Sequence, residues 1–228
     1  DLIEKDMIPD DIVLIAEGVA HPKIFNDFPG KKSLVFRQNV PTEKWFPENI
    51  PDLQTVEAGN SVANMNFSIA HALGASPIIL IGQDLAYSSE GKSHTIETGY
   101  EDFGDQRDLK EKNKNLVEVK GYNGETLKSK KWWKVFKQWF EHKIVKDNIY
   151  CIDATEGGAY IKGTEVMKLK EVAEKFFSEE KKSFYKEFKS IKFNNNFEFK
   201  SEKFISSLEN LIYDIESKKE NISSIRKR

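Results

Sequence analysis

The amino-acid sequence predicts an α/β protein, a Rossmann-like and mostly parallel sheet flanked by helices, with a helical C-terminal appendage. Asp11 to Ala16 is a short apolar run that reads as a buried strand, and Pro77-Ile78-Ile79-Leu80-Ile81 has no polar face, the pattern of a strand covered by helices on both sides. Between them, Ser61 to Leu73 carries apolar residues at helical spacing, and strands alternating with helices imply a parallel sheet. After about Glu165 apolar residues recur at helical spacing among many charges. The expected organisation is a Rossmann-like domain over residues 1–164 and a helical region over residues 165–228.

Each element follows from local chemistry. Asp11 to Ala16, after Pro9, reads as a buried strand, and Ser33 to Phe36 as a second. Pro41, Pro47 and Pro51 make residues 37–52 a loop or a broken helix, because proline lacks the backbone donor. Leu53 to Glu57 is a further strand candidate. In the helix from Ser61, the residues Val62, Met65, Ile69 and Leu73 form a stripe expected to be buried. Asn60 or Ser61 can cap its start, and Gly74 can end it.

The polar stretch Gln83 to Leu109 is a long loop of the kind that usually carries function. Leu116 to Gly121, Asn123-Gly124 and Glu125 to Leu127 suggest a β-hairpin. Ser129 to Val145 is a helix with Trp132, Phe136, Trp139, Phe140 and Ile144 on one side and lysines on the other. Ile149 to Ile152 returns to the sheet. Met167 to Phe177, Lys181 to Lys192 and Glu202 to Ser217 read as helices, with Asn194-Asn195-Asn196 as a break.

Composition narrows the function classes. A net charge of −2 over 228 residues gives no global field that draws in nucleic acid. Arginine, the usual bidentate reader of phosphates and base edges, occurs only at 37, 107, 226 and 228. The single cysteine, Cys151, excludes an intrachain disulfide and a cysteine-rich zinc site, and its apolar context is that of a buried strand. No apolar segment approaches the ~20 residues needed to span a bilayer, and the acidic start is not a secretory signal. The expected location is cytoplasmic.

The chemistry-bearing residues gather at strand ends. Gly59, Asn60 and Ser61 combine close backbone approach with a helix N-terminus, suited to a phosphate or a ribose; a plain N-cap has the same form. Gly82, Gln83 and Asp84 follow the second apolar strand, at the carboxyl edge where open parallel sheets bind ligands. Asp84 can accept sugar hydroxyls or hold Mg²⁺ through water, and Gln83 can read a base edge or a sugar. Tyr87 can bond a departing phosphate oxygen, or be a packed aromatic.

Lys92 can neutralise phosphate. Among four histidines, His94 in Gly91-Lys92-Ser93-His94 is the candidate acid/base, because imidazole titrates near neutrality. Glu156, Gly157 and Gly158 follow another strand end; Glu156 can act as a base, and the glycines allow tight approach. No zinc spacing or Gly-Lys-Ser/Thr phosphate loop is present.

Taken together, these motifs resemble the central domain of bacterial motility accessory factors, the flagellin glycosyltransferases. Those proteins share a domain with the archaeal 6-hydroxymethylpterin diphosphokinases, MptE-like. The resemblance covers roughly residues 8 to 175. It rests on Gly59 to Ala63, Ile81 to Tyr87, Gly91 to His94, Gly121 to Gly124, Trp139 to Glu141, Asp153 to Ala159 and Ile161 to Thr164. A looser similarity links the two small-residue turns to bacterial sialyltransferases with a cytidine-monophosphate sugar donor.

The resemblance implies transfer of a nonulosonic sugar, such as pseudaminic or legionaminic acid, from a cytidine-monophosphate donor to flagellin Ser/Thr. No cofactor is then expected beyond the donor, and no membrane span. Two alternatives stand beside it. One is pyrophosphate transfer from ATP and Mg²⁺ to a hydroxymethylpterin; the other is a non-catalytic module for flagellar or surface assembly. Family members usually carry an earlier strand and a Gly-Pro-Ser-Leu type turn, whereas Met7 to Asp10 reads as the lead-in to the strand after that unit. The expectation is a fragment of a longer protein, or an incomplete nucleotide site.

Overall fold

The computed structural model describes residues 12–50, 53–87, 116–177 and 201–225. Two compact units emerge, Asp1–Glu57 with Lys182–Arg228, and Ala58–Lys181. This grouping departs from the expected division at residue 164. The C-terminal helix belongs with the front strands, and the helix just after residue 168 stays with the second sheet.

The first unit is built on a three-stranded, wholly parallel sheet of β1 (Val13–Glu17), β2 (Lys31–Arg37) and β3 (Gln54–Val56), in that spatial order. Helix α1 (Pro22–Asp27) joins the first two strands, and α2 (Pro41–Asn49) joins the second and third. The proline-rich stretch is therefore helical. Pro41 sits in the first turn, where its missing donor costs nothing, and Pro47 falls in the short helix's second half. Phe46 stacks on Phe36 of β2, with ring centroids 5.3 Å apart. The long C-terminal helix, residues Ser201–Ile225, touches α2.

The second unit carries the site. Helix α3 (Val62–Ala72) leads to β4 (Ile78–Leu80), then come the antiparallel hairpin β5 (Leu116–Lys120) and β6 (Thr126–Lys130). Helix α4 (Lys131–Lys146), β7 (Cys151–Asp153), β8 (Glu165–Val166) and α5 (Leu169–Phe176) follow, and the C-terminal helix is α6. The sheet order is β4-β7-β8, all parallel, with Leu80 paired to Asp153.

Helices cover both faces of this sheet, as the polar-free strand implied. On one face Ile78, Leu80 and Cys151 pack with Phe67 of α3 and Phe140 and Ile144 of α4. On the other, Ile79 and Ile152 meet Val172 and Phe176 of α5. Phe140, Ile152, Ile161 and Val172 are fully buried. Each such side chain contributes about 1.5–3 kcal/mol of burial.

Three expectations are corrected. The buried face of α3 is Asn64, Met65, Phe67 and Ser68, whereas Val62 and Leu73 are exposed. The helix is turned because the Asn64 side chain donates to the Phe136 carbonyl of α4 at 3.3 Å. Phe67 also sets its ring edge against Trp139 and Phe140. In α4 the lysines do not all face away: Lys143 is buried and pairs with Asp147 at 2.6 Å, while Trp132 is exposed. Ser129 and Lys130 belong to β6, so that helix begins at Lys131. Strand β8 was not anticipated at all.

Candidate functional site

Two strand ends of the second sheet converge. The chain leaves β4 through Gly82, Gln83 and Asp84, and leaves β7 through Ala154, Thr155, Glu156, Gly157 and Gly158. Because β4 and β7 are parallel neighbours, both turns lie at the same sheet edge. The backbone locks them together. Ala154 N–H donates to the Leu80 carbonyl at 2.9 Å, and Ala159 N–H to the Asp84 carbonyl at 2.6 Å. Gly158 approaches so closely that a Cβ there would lie 2.3 Å from the Asp84 carbonyl oxygen, and its φ is +71°. Only glycine fits both demands.

A side-chain bridge adds to this. Gln83 N–H donates to Thr155 Oγ1 at 3.2 Å, and Thr155 N–H donates to Asp153 Oδ1 at 3.1 Å. Asp153, the last residue of β7, is 1% exposed, and its Oδ2 has no hydrogen-bond partner among the described residues. Burial pushes its carboxyl above the usual aspartate range, against the Thr155 hydrogen bonds, and the charge of Asp84 adds to the rise. Glu156 stands at the crest of its turn, exposed and at φ +60°, a left-handed conformation uncommon for a non-glycine residue.

The hairpin completes the edge. Gly121 bridges to Ala159, and Tyr122 N–H donates to the Gly158 carbonyl at 2.8 Å. The Tyr122 hydroxyl lies 3.5 Å from the Asp153 carbonyl and 3.4 Å from that of Met167. Its proton is held more tightly than a free phenol's, by burial and then by the charges of Asp153, Glu156 and Glu171.

Of the expected site residues, Gly82, Gln83, Asp84, Glu156, Gly157 and Gly158 are thus brought together. The turn of Gly59, Asn60 and Ser61 is used locally. Ser61 Oγ accepts from Asn64 N–H at 3.1 Å and donates to Asn64 Oδ1 at 2.9 Å, so Ser61 is the N-cap of α3. Gly59 presses on α4, where a Cβ would lie 2.8 Å from Trp139 Cγ. Tyr87 is buried beside Trp133, with centroids 5.2 Å apart, and Lys130 Nζ lies 5.8 Å from the centre of its ring. Lys92 and His94 lie outside the described residues.

Asp153, Thr155 and Tyr122 lie within the motifs that carry the resemblance, but were assigned no site role from the sequence. For Asp153 a signal existed: a carboxylate closing an apolar strand, like Asp84. The neighbouring Cys151 is buried, and burial, with a smaller push from Asp153, moves its thiol up to about 12, which removes it as a nucleophile. Among the described residues no group of three or more His, Cys, Asp or Glu is placed to hold a metal ion. No described helix is long and apolar enough to cross a membrane.

Comparison with known proteins bears on the same segments. The family model described as 6-hydroxymethylpterin diphosphokinase MptE-like matches residues 2–90, which include the first sheet, α3, β4 and the Gly82–Asp84 turn. Among solved structures, the MAf glycosyltransferase from Magnetospirillum magneticum AMB-1 shares the fold. Its TM-score is 0.51 at 17% identity, and the match covers 68% of this chain and 22% of that one. Comparison with curated proteins gives no match. The family match thus falls on the front part of the segment over which the motifs resemble that family, and the solved structure shows a shared fold.

Proposed function

We propose that this chain carries the donor-binding part of a glycosyltransferase that moves a nonulosonic sugar from a cytidine-monophosphate donor to a flagellin serine or threonine. The observation that carries this reading is the pinned pair of turns, Gly82–Asp84 and Thr155–Gly158, at one parallel sheet edge. That edge is where an α/β fold holds a nucleotide ligand. The fold shared with a MAf glycosyltransferase and the MptE-like match over residues 2–90 support it.

In the proposed reaction the bond between the anomeric carbon and the donor phosphate oxygen breaks, and the acceptor hydroxyl oxygen bonds to that carbon. Cytidine monophosphate leaves with the bonding pair, and the acceptor proton passes to a base, Glu156 or His94. Lys92 and Tyr87 are assigned to the leaving phosphate. Tyr87 can act so only if its buried phenol opens toward the donor. Gly59 to Ser61 hold another part of the donor, through the free backbone donors at the start of α3. A cytoplasmic location is part of this reading.

The description of the matched family favours a second reading, pyrophosphate transfer from ATP to a hydroxymethylpterin. Asp84, exposed, and the partnerless oxygen of Asp153 are then the carboxylates that would hold Mg²⁺. The ion would supply charge neutralisation on the phosphates. Calorimetry of the protein with cytidine monophosphate, and separately with ATP and Mg²⁺, decides between them. Binding of cytidine monophosphate alone is expected; metal-dependent ATP binding without it transfers the assignment to the second reading.

A further inference from the structure

We infer that the joined turns form a subsite for the hydrogen-bond-donating part of the ligand, a hydroxyl or amine group, with Asp153 Oδ2 as its acceptor, and that phosphate binds away from them. The inference rests on the nucleotide-sugar reading and makes it more specific. Its first support is an unmet bond. Asp153 is 1% exposed, one carboxyl oxygen takes Thr155 N–H, and the other has no partner among the described residues. Buried polar atoms in folded proteins are nearly always satisfied, so an exception at a strand end marks an unfilled contact.

Charge says what kind of group fills it. Asp84 lies close enough to raise the Asp153 carboxyl, and Asp153, Glu156 and Glu171 all act on the Tyr122 hydroxyl. The carboxylates of Asp84, Asp153 and Glu156, on the two joined turns, repel a phosphate and attract groups that carry a polarised hydrogen. The Thr155 bridge fixes the geometry: it spans from Gln83 on one turn to Asp153 at the root of the other. A ribose or sugar hydroxyl, or a base amine, matches this acceptor. The donor phosphate is then left to residues outside the acidic edge.

Calorimetry with cytidine, adenosine, N-acetylneuraminic acid, inorganic phosphate and MgCl₂ tests this on the wild-type protein and on Asp153→Asn, with thermal melting alongside. Asparagine keeps the acceptor for Thr155 N–H and removes the charge. The expected result is at least tenfold weaker binding of cytidine or of the free sugar, whichever the wild type takes, together with a higher melting temperature. Inorganic phosphate should bind no more weakly than before.

Should adenosine bind and cytidine not, the cytidine donor is wrong, and the subsite stands only if Asp153→Asn weakens adenosine tenfold. Undiminished nucleoside or sugar binding in the variant overturns the inference. So does a wild type that binds none of the three organic probes, or one whose Mg²⁺ or phosphate binding is what the variant loses. If Asp153→Asn fails to fold, Asp84→Asn, at an exposed position, replaces it. Phosphate binding at least threefold tighter is then expected, and an unchanged value overturns the inference.

Discussion

At the carboxyl end of the first sheet, Glu17 of β1, Arg37 of β2 and Glu43 of α2 close on one another. At the carboxyl end of the second, Asp84 and Asp153 form no ion pair among the described residues. Arg37 Nε lies 2.5 Å from Glu17 Oε1 as an ion pair, and Arg37 donates to both oxygens of Glu43 through its side chain and its backbone N–H. Burial pushes Glu43 up, but the Arg37 hydrogen bonds outweigh it and hold the carboxyl below the usual range. Glu17, the outer partner, is pushed up by burial against the pull of Arg37. Among the described residues, Glu17 Oε1 and Asp153 Oδ2 are both buried without a hydrogen bond, but the first lies against the Arg37 guanidinium and the second has no cation beside it. A carboxylate paired with its cation stabilises the fold; a bare buried carboxylate destabilises it and is kept where a ligand completes it.

Changes at the two edges should separate these roles. Gly158→Ala should have the largest effect, a loss of about 3 kcal/mol in denaturant unfolding, because it combines overpacking on Asp84 with a left-handed φ. Arg37→Met should cost about 2 kcal/mol at neutral pH, less than for a fully buried pair because the side chain is 24% exposed. The sign with pH follows from Glu43. Its folded value lies below its ordinary one, so its contribution is present above the ordinary carboxylate range and is lost as pH falls through the folded value. Unfolding measured from pH 7 to pH 3 should show this acid-side loss in the wild type and little of it in Arg37→Met.

Smaller effects are expected at the open edge. Glu156→Gly should stabilise the protein by about 0.5–1 kcal/mol through relief of the φ +60° conformation, while weakening transfer activity. A melting curve that shows destabilisation instead would remove the strain from this account. For Asp153→Asn the informative quantity is a slope. The folded carboxyl lies above its ordinary value, so its contribution is complete below the ordinary aspartate range and is lost as pH rises through the folded value. The variant's stability advantage over the wild type should therefore grow from pH 4 to pH 7. A constant difference would contradict the assignment.

Much of this arrangement was legible in the sequence where one residue's environment is set by its neighbours in the chain. Ile78 to Leu80 has no polar face and is a strand covered on both sides; Asn123-Gly124 makes the hairpin; Asp84 and Glu156 follow strand ends and lie at the sheet edge. What failed depends on distant partners. The face of α3 turned because Asn64 reaches the Phe136 carbonyl of α4, 72 positions away; Lys143 is the exception, since the Asp147 that receives it is only four residues on. Strand β8 has two exposed residues, Glu165 and Val166, and is set by backbone pairing with β7 and by the Tyr150 hydroxyl donating to Glu165. The Thr155 bridge joins residues 72 positions apart, so no local pattern could announce it or the bare oxygen of Asp153 beneath it.

Amide hydrogen exchange with and without saturating cytidine monophosphate tests the central claim most directly, because it reads both edges in one experiment. Protection should rise at Gln83 and from Thr155 to Gly158, and stay unchanged at Arg37 to Val40. Protection confined to the Glu17, Arg37 and Glu43 edge, or absent from both, would contradict the assignment of the second edge as the ligand site.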